Sequence, residues 1–395
     1  MKKILLFFTL VLSLDFSSIA QWTQKADFIG SRTMAAGFSI GTKGYIGTGR
    51  ERYGCGMKLP CEKDYNDFWE YNPTNNTWTK KADFGGDVRI LAEGFSIGDK
   101  GYIGMGGRVD YKKDFWEYNP TTNIWTRKAD FPGLARWAAV GFSIGNKGYV
   151  GLGQNGTTNF VDLWEYDPLT DSWTKKTDFP GVARSGVVYF SIGNRGYVGL
   201  GLSIELISDF WEYNPENNSW KRIADFPGSY RQVATGFSIG TKGYVVAGHN
   251  GLYLKDLWEW NSLTNTWAKK EDFGGSGRIS AVGFSVGSKG YFGTGEDGFC
   301  EKDFWEYNAV ITSSPLSFNN DGFAKVFPNP VNNRITIEYP KEFDVEIADI
   351  NGRHINSYPR NKTNLIIDLN DYPKAIYLLK IISDHKIVVE KIIKQ

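Results

Sequence analysis

"DFWEYNPTNNTW", residues 67–78, recurs as "DFWEYNPTTNIW" (114–125), "DLWEYDPLTDSW" (162–173), "DFWEYNPENNSW" (209–220) and "DLWEWNSLTNTW" (256–267), and a truncated copy, "DFWEYN", stops at Asn308. The core tryptophans Trp69, Trp116, Trp164, Trp211, Trp258 and Trp305 are spaced by 47, 48, 47, 47 and 47 residues, a period that points to a propeller or a solenoid. The closing tryptophans Trp78, Trp125, Trp173, Trp220 and Trp267 lack a sixth member after Trp305, but "QWTQKADF" (21–28) matches "TWTKKADF" (77–84). The start of the chain thus supplies the strand its last repeat lacks. A solenoid would instead need polar caps at its ends, so six units are expected to close into a ring.

Each unit separates into four strand-sized pieces, for example "AEGFSIG" (92–98), "KGYIGMG" (100–106), "DFWEYN" (114–119) and "IWTRKADF" (124–131), here named strands a to d. The G-x-K-G or G-x-R-G link between a and b is short and carries glycine, the signature of a hairpin. Between c and d, "NPTTN" and its relatives combine proline with side chains that make turns. An all-β fold is expected, with four antiparallel strands to a blade. In strand c, Phe115, Glu117 and Asn119 point to one side and Trp116 and Tyr118 to the other, and aromatic residues on both sides suit a sheet packed between two neighbours.

Residues 1–20 have two lysines, an apolar run from Ile4 to Leu14, and small residues Ser18 and Ala20 before a plausible cut, the layout of a secretory signal peptide and too short to span a bilayer. No other stretch reads as transmembrane. Without Lys2, Lys3 and Asp15 the mature chain carries 43 basic and 43 acidic residues, so it lacks the basic footprint of a nucleic-acid binder. Of the three cysteines, Cys55 and Cys61 share the long b–c loop of the first blade and Cys300 lies in the matching loop of the sixth. A bridge from Cys61 to Cys55 pins that loop; a bridge to Cys300 ties the ring across its seam.

The repeats resemble the kelch family over residues 21–308, through the Trp/Tyr strand, the closing Trp and an Arg-bearing start, although "GTG", "GMGG", "GLG" and "VAG" stand where that family usually has a Gly-Gly doublet. After a Ser-, Pro- and Asn-rich linker (309–324), residues 325–395 resemble the C-terminal sorting domain of type IX secretion, through "FPNP", "INGR", "IYLLKI" and a basic last strand. Lys374-Ala375 replaces the Gly that usually precedes the "IYLLKI" type of strand. Alternation in this segment predicts a small β-sandwich. That resemblance implies export from a Gram-negative bacterium to the medium or the cell surface, with the type IX machinery as a partner.

Antiparallel pairing places the a–b and c–d turns on one face of the disc and the b–c and d–a loops on the other. The first face is nearly uniform and the second varied, and loops on a rigid frame are where binding sites gather. Six d–a arginines, Arg32, Arg89, Arg136, Arg184, Arg231 and Arg278, must encircle the axis. They suit an anion-binding funnel; alternatively they pair with the equally regular Asp67, Asp114, Asp162, Asp209, Asp256 and Asp303, or with the recurrent glutamates from Glu70 to Glu306. Tyr53, Tyr111, Trp137, Phe160, Tyr230, Tyr253 and Phe299 add aromatic surface to the varied face, and rings there can stack on sugars.

Among kelch-like enzymes, copper oxidases need imidazole ligands, and the propeller offers only His249. Sialic acid mutarotases need a carboxylate anchor and an acid or base; the arginines and Glu205 or Glu296 are the candidates. No motif calls for a metal or cofactor. The reading is an exported propeller that binds a glycan or an extracellular protein, with a mutarotase-like enzyme and a structural surface protein as alternatives.

Overall fold

The computed structural model describes residues 21–54, 60–309, 325–329, 331–339, 341–349, 354–361, 363–383 and 386–394, and among them every regular element is a β-strand. Residues 1–20, read from the sequence as a signal peptide, nearly all of the linker, Cys55 and the "INGR" segment lie outside the described residues. The chain divides into two compact units, Met1–Val310 and Ile311–Gln395.

The first unit contains six four-stranded antiparallel sheets. In the second blade Glu93–Ile97, Lys100–Gly104, Phe115–Asn119 and Ile124–Lys128 pair in sequence order as strands a to d. In the sixth, Val282–Val286, Lys289–Gly293 and Phe304–Asn308 are joined by Trp22–Gln24, with Trp22 opposite Tyr307. The chain start is therefore the fourth strand of the last blade.

The two glycines of each G-x-K-G link have separate tasks. Gly98 takes φ +58° in the a–b turn, where a side chain would be strained. Gly101, already in strand b, leaves room for the neighbouring blade: a Cβ there would lie 2.3 Å from the Phe38 ring. The same contact runs around the molecule, from Phe95 on Gly148 to Phe284 of the sixth blade on Gly44 of the first, where a Cβ would meet the ring at 2.2 Å. Hydrogen bonds follow the same route. Trp125 Nε1 donates to the Ala82 carbonyl of the preceding blade at 3.1 Å, and Trp78 donates to Ala26 across the seam at 3.0 Å. In the c–d turn, Asn123 adopts φ 57° and its Oδ1 accepts from Tyr118 Oη at 2.8 Å and from the Ala82 N–H at 2.9 Å. Strand c does not alternate cleanly in burial, because both its faces are covered: Phe115 and Tyr118 are fully buried, while Trp116 is only half-buried.

The second unit is a sandwich of a three-stranded sheet (Lys325–Phe327, Arg334–Glu338, Asn364–Asp368) and a four-stranded sheet (His354–Asn361, Phe343–Asp349, Ile376–Ser383, Lys386–Ile393), both antiparallel. Alternation buries Phe343, Val345 and Ile347 together with Tyr377, Leu379 and Ile381 in one apolar core.

Replacing Gly44 or Gly101 by Ala forces the facing phenylalanine off its site, a misfit expected to cost about 1–3 kcal/mol. Guanidinium unfolding followed by tryptophan fluorescence should show both losses; unchanged midpoints would mean that the blades do not depend on this contact.

Candidate functional site

The six arginines do not form an anion-binding funnel. All are buried, and each is clamped to the aspartate that precedes strand c of its own blade. Arg89 is representative: Nη1 reaches Asp114 Oδ1 at 2.7 Å and the Met105 carbonyl at 3.0 Å, Nη2 reaches Asp114 Oδ2 at 2.7 Å, and Nε reaches the Asp87 carbonyl at 3.1 Å. Burial pushes the Asp114 carboxyl up, but the Arg89 hydrogen bond and charge more than offset it and hold the group below the usual carboxylate range. The recurrent glutamates are also committed, Glu117 for example accepting from Tyr102 Oη at 2.7 Å. A residue repeated in every blade is needed by every blade.

The unrepeated positions are therefore the candidates for a site. Just inside the varied face, Met34, Leu91, Ala138, Gly186, Val233 and Ser280 all take positive φ, between 46° and 62°, a strained state for Val233 above all. Their main chains form a belt about the axis: Leu91 N–H donates to Met34, Ala138 to Leu91, Val233 to Gly186, Ser280 to Val233, and Met34 to Ser280 across the seam at 3.1 Å. Outside this neck, the third residue past strand b is different in each blade: Arg50, Gly107, Gln154, Leu202, His249 and Glu296. Five of these positions bridge to the d–a segment of their own blade.

Several expected site residues lie on this face in different roles. Tyr230 and Tyr253 are exposed, the latter beside His249 with ring centroids 5.4 Å apart. Tyr111 and Trp137 lean on each other at 5.7 Å, and the buried Trp137 Nε1 has no protein acceptor. Phe160 covers the Arg136 guanidinium at 4.3 Å. The long first b–c loop forms an unforeseen hairpin, Arg50–Gly54 with Pro60–Asp64. Arg52 on this hairpin pairs with Glu296 of the sixth blade at 2.6 Å and with Glu62 at 3.1 Å. Cys61 is disulfide-bonded and Cys300 is free, so the bridge between them is not formed. Burial pushes the Cys300 thiol up to about 11, which leaves it protonated and a poor nucleophile.

Sequence reasoning missed the pair inside the axial channel. Five blades carry Gly-Phe-Ser in strand a, and the fourth has Tyr189-Phe190-Ser191. The second blade alone has an acid, Glu93, immediately before that triplet. Tyr189 Oη donates to Glu93 Oε2 at 2.5 Å, from the fourth blade to the second. Glu93 lies against Gly141 of the intervening blade, where a Cβ would come within 3.4 Å of Oε2. Glu93 and Tyr189 line a cavity of about 110 Å³ behind the neck, and Tyr189 also lines a larger one of about 280 Å³, walled by the Gly-Phe-Ser triplets towards the a–b turns. Burial pushes the Glu93 carboxyl up to about 8, the Tyr189 hydrogen bond countering only in part, and burial drives the Tyr189 phenol well above its ordinary value. Glu93 therefore holds its proton at neutral pH, an acid in an uncharged shaft.

Residues 325–395 match the family model described as a secretion system C-terminal sorting domain. The tail is a type IX sorting domain. The protein is accordingly exported, to the surface of a Gram-negative cell or into the medium, and the sorting domain engages the type IX machinery. The fold is similar to the solved structure of YjhT, with a TM-score of 0.58 and 17% identity over 71% of this chain and 96% of that chain, a likeness that shows the β-propeller fold. No curated protein matches the chain.

Two variants separate the clamp from the shaft. Arg231→Ala removes a fully buried side chain and leaves the half-buried Asp256 carboxylate without its cation, which should cost about 3 kcal/mol; a melting temperature like that of the parent would overturn the clamp. Glu93 keeps a proton in the folded state that the unfolded chain gives up from about pH 4.5 upward, so stability attributed to it falls as pH rises towards 8. Glu93→Gln removes that fall, and the difference in melting temperature, variant minus parent, should grow between pH 5 and pH 8.

Proposed function

We propose that the exported propeller is a binding module whose ligand is another protein, taken on the face that carries the b–c and d–a loops. The observation behind this reading is the distribution of exposed apolar side chains. Ile29, Val88, Leu134 and Val182 on d–a loops, and Val109, Ile204, Leu252 and Phe299 on b–c loops, are all exposed. The c–d side of the propeller exposes only Ile124, Leu169 and Leu263 among the described residues. Apolar surface gathered on one face of an otherwise polar disc marks an interaction site.

A glycan is the second reading, supported by the exposed Tyr230 and by Tyr253 beside His249. An acidic glycan, however, no longer has the arginines to hold it. The mutarotase-like alternative loses its carboxylate anchor for the same reason. Its two candidate acids are Glu205, which is exposed, and Glu296, which is tied to Arg52.

A photo-crosslinking residue placed at Val182 or Leu252 in the producing cells should give a discrete protein adduct, and one at Leu169 should not. Equal labelling from both faces would sink the protein reading. Glycan-array binding abolished by Tyr230→Ala with Tyr253→Ala would replace it with the carbohydrate one.

A further inference from the structure

The shaft behind the neck has a definite chemistry. Its mouth is ringed by the half-buried apolar side chains of Met34, Leu91, Ala138 and Val233, with Gly186 and a single hydroxyl, Ser280, completing the circle. At its inner end is a carboxyl that is 6% exposed, with one hydrogen-bond partner, the Tyr189 hydroxyl. The strands a that flank Glu93, Ala36–Ile40 and Val140–Ile144, contain no ionisable residue. In its own sheet Glu93 faces Gly104, and that sheet's strand-b phenol, Tyr102, is committed to Glu117. At the outer mouth Arg50 is neutralised by Asp64 and Glu62, Arg52 by Glu62 and Glu296, and Arg108 also reaches Glu62 and Asp64, while Cys300 and His249 stand on the same face. Among the described residues no cation is in place to serve Glu93, although a buried carboxylate gains most from one.

We infer that the shaft is a binding site for a primary ammonium group on an unbranched alkyl stem, the methylenes lying in the apolar neck and the ammonium against Glu93 and Tyr189. A stem of this kind suits a narrow apolar passage because it is flexible and needs no polar partner along its length, while the ammonium has three donors to place. Glu93 and Tyr189 supply acceptor oxygens for them, Tyr189 still donating its own hydroxyl proton to the carboxylate. Binding balances as an exchange: the cation enters, the Glu93 proton leaves to solvent, and the shaft stays neutral. The source is either a free alkylamine or a lysine side chain of the protein ligand proposed above. The lysine form rests on that proposal, and the alkylamine form stands without it.

The test is calorimetric titration of the mature protein with n-butylammonium, with 1-butanol and butyrate as controls and a Gly-Gly-Lys-Gly-Gly peptide as a separate arm. Butylammonium should bind and the controls should not. Repeating the titration in buffers of different ionisation enthalpy at pH 7 should show close to one proton released per ligand. Apparent affinity should rise about tenfold from pH 6 to pH 7 and level off above about pH 8, because only the ionised carboxylate receives the cation. Glu93→Gln should abolish binding, and the proton count on the unaltered protein decides the matter even if that variant folds poorly. Butanol binding as well as butylammonium, or butylammonium binding without proton release or not at all, overturns the inference. Binding by the peptide assigns the source to a lysine side chain, and binding by butylammonium alone assigns it to free amines. Neither result depends on whether crosslinking finds a protein on the varied face.

Discussion

A phenylalanine ring laid on a bare glycine of the next blade is the contact on which the rest of the structure depends. Phe38 on Gly101 and its five counterparts set the distance between sheets, and because glycine has no side chain the sheets approach closely at the axis. Strand a is thereby placed around a shaft, and whatever stands at its few unrepeated positions projects into a confined, poorly solvated space. The arginine–aspartate clamps act farther out, fixing the segment that enters strand a to the segment that enters strand c of the same blade. Dispersion packs blade against blade, and charge-assisted hydrogen bonding holds each blade in shape.

This division of labour explains why the most regular charged residues are taken up inside their own blades. Each arginine faces an aspartate, a carbonyl and an aromatic ring, as Arg136 does with Asp162, the Leu152 carbonyl and Phe131. Such a cation is satisfied within its own blade. Glu93 is the opposite case, a single acid introduced where the other blades have Ala, Val or Thr, with no basic partner introduced beside it. An uncompensated acid weakens a fold, and five backbones held in left-handed geometry by non-glycine residues at the neck add to that burden. Both features are concentrated at one end of one channel.

The blades were legible in the sequence because their causes are local. A tryptophan at a fixed period, a glycine-bearing link and an asparagine turn each specify a piece of sheet, and the match of Trp22 to the closing tryptophans revealed which strand completes the sixth blade. The alternation that reads a sandwich in the tail is equally local. The site was hidden by the same regularity, since attention to what recurs selects the residues that hold the repeat together. Tyr189 was visible as one tyrosine where five glycines stand, and Glu93 as one acid in six otherwise uncharged positions. What could not be read is that a side chain from the fourth blade passes over the third to meet the second, because that depends on the width of the shaft. The first b–c loop concealed its hairpin for a related reason: "RERYG" and "PCEKD" show little apolar alternation, and what holds them together is ion pairing, Arg50 with Asp64 and Glu62, rather than an apolar face.

The seam has a consequence in time as well as in space. Tyr307 hydroxyl and Gln21 Oε1 meet at 3.4 Å although 286 residues separate them, and bringing such distant points together costs about 5 kcal/mol of chain entropy before the strand can contribute anything. The first five blades can assemble from neighbouring sequence, whereas the sixth must wait for both ends. Until then Phe304–Asn308 presents an open edge, and Trp22–Gln24 is a free strand of matching register. A chain with only its first five blades assembled is thus an unfinished ring, and in a crowd of its own copies the strand that finishes it can come from a neighbour. Whether such a population ends as single discs or as exchanged partners is then decided by the race between one long loop closing on itself and two molecules meeting.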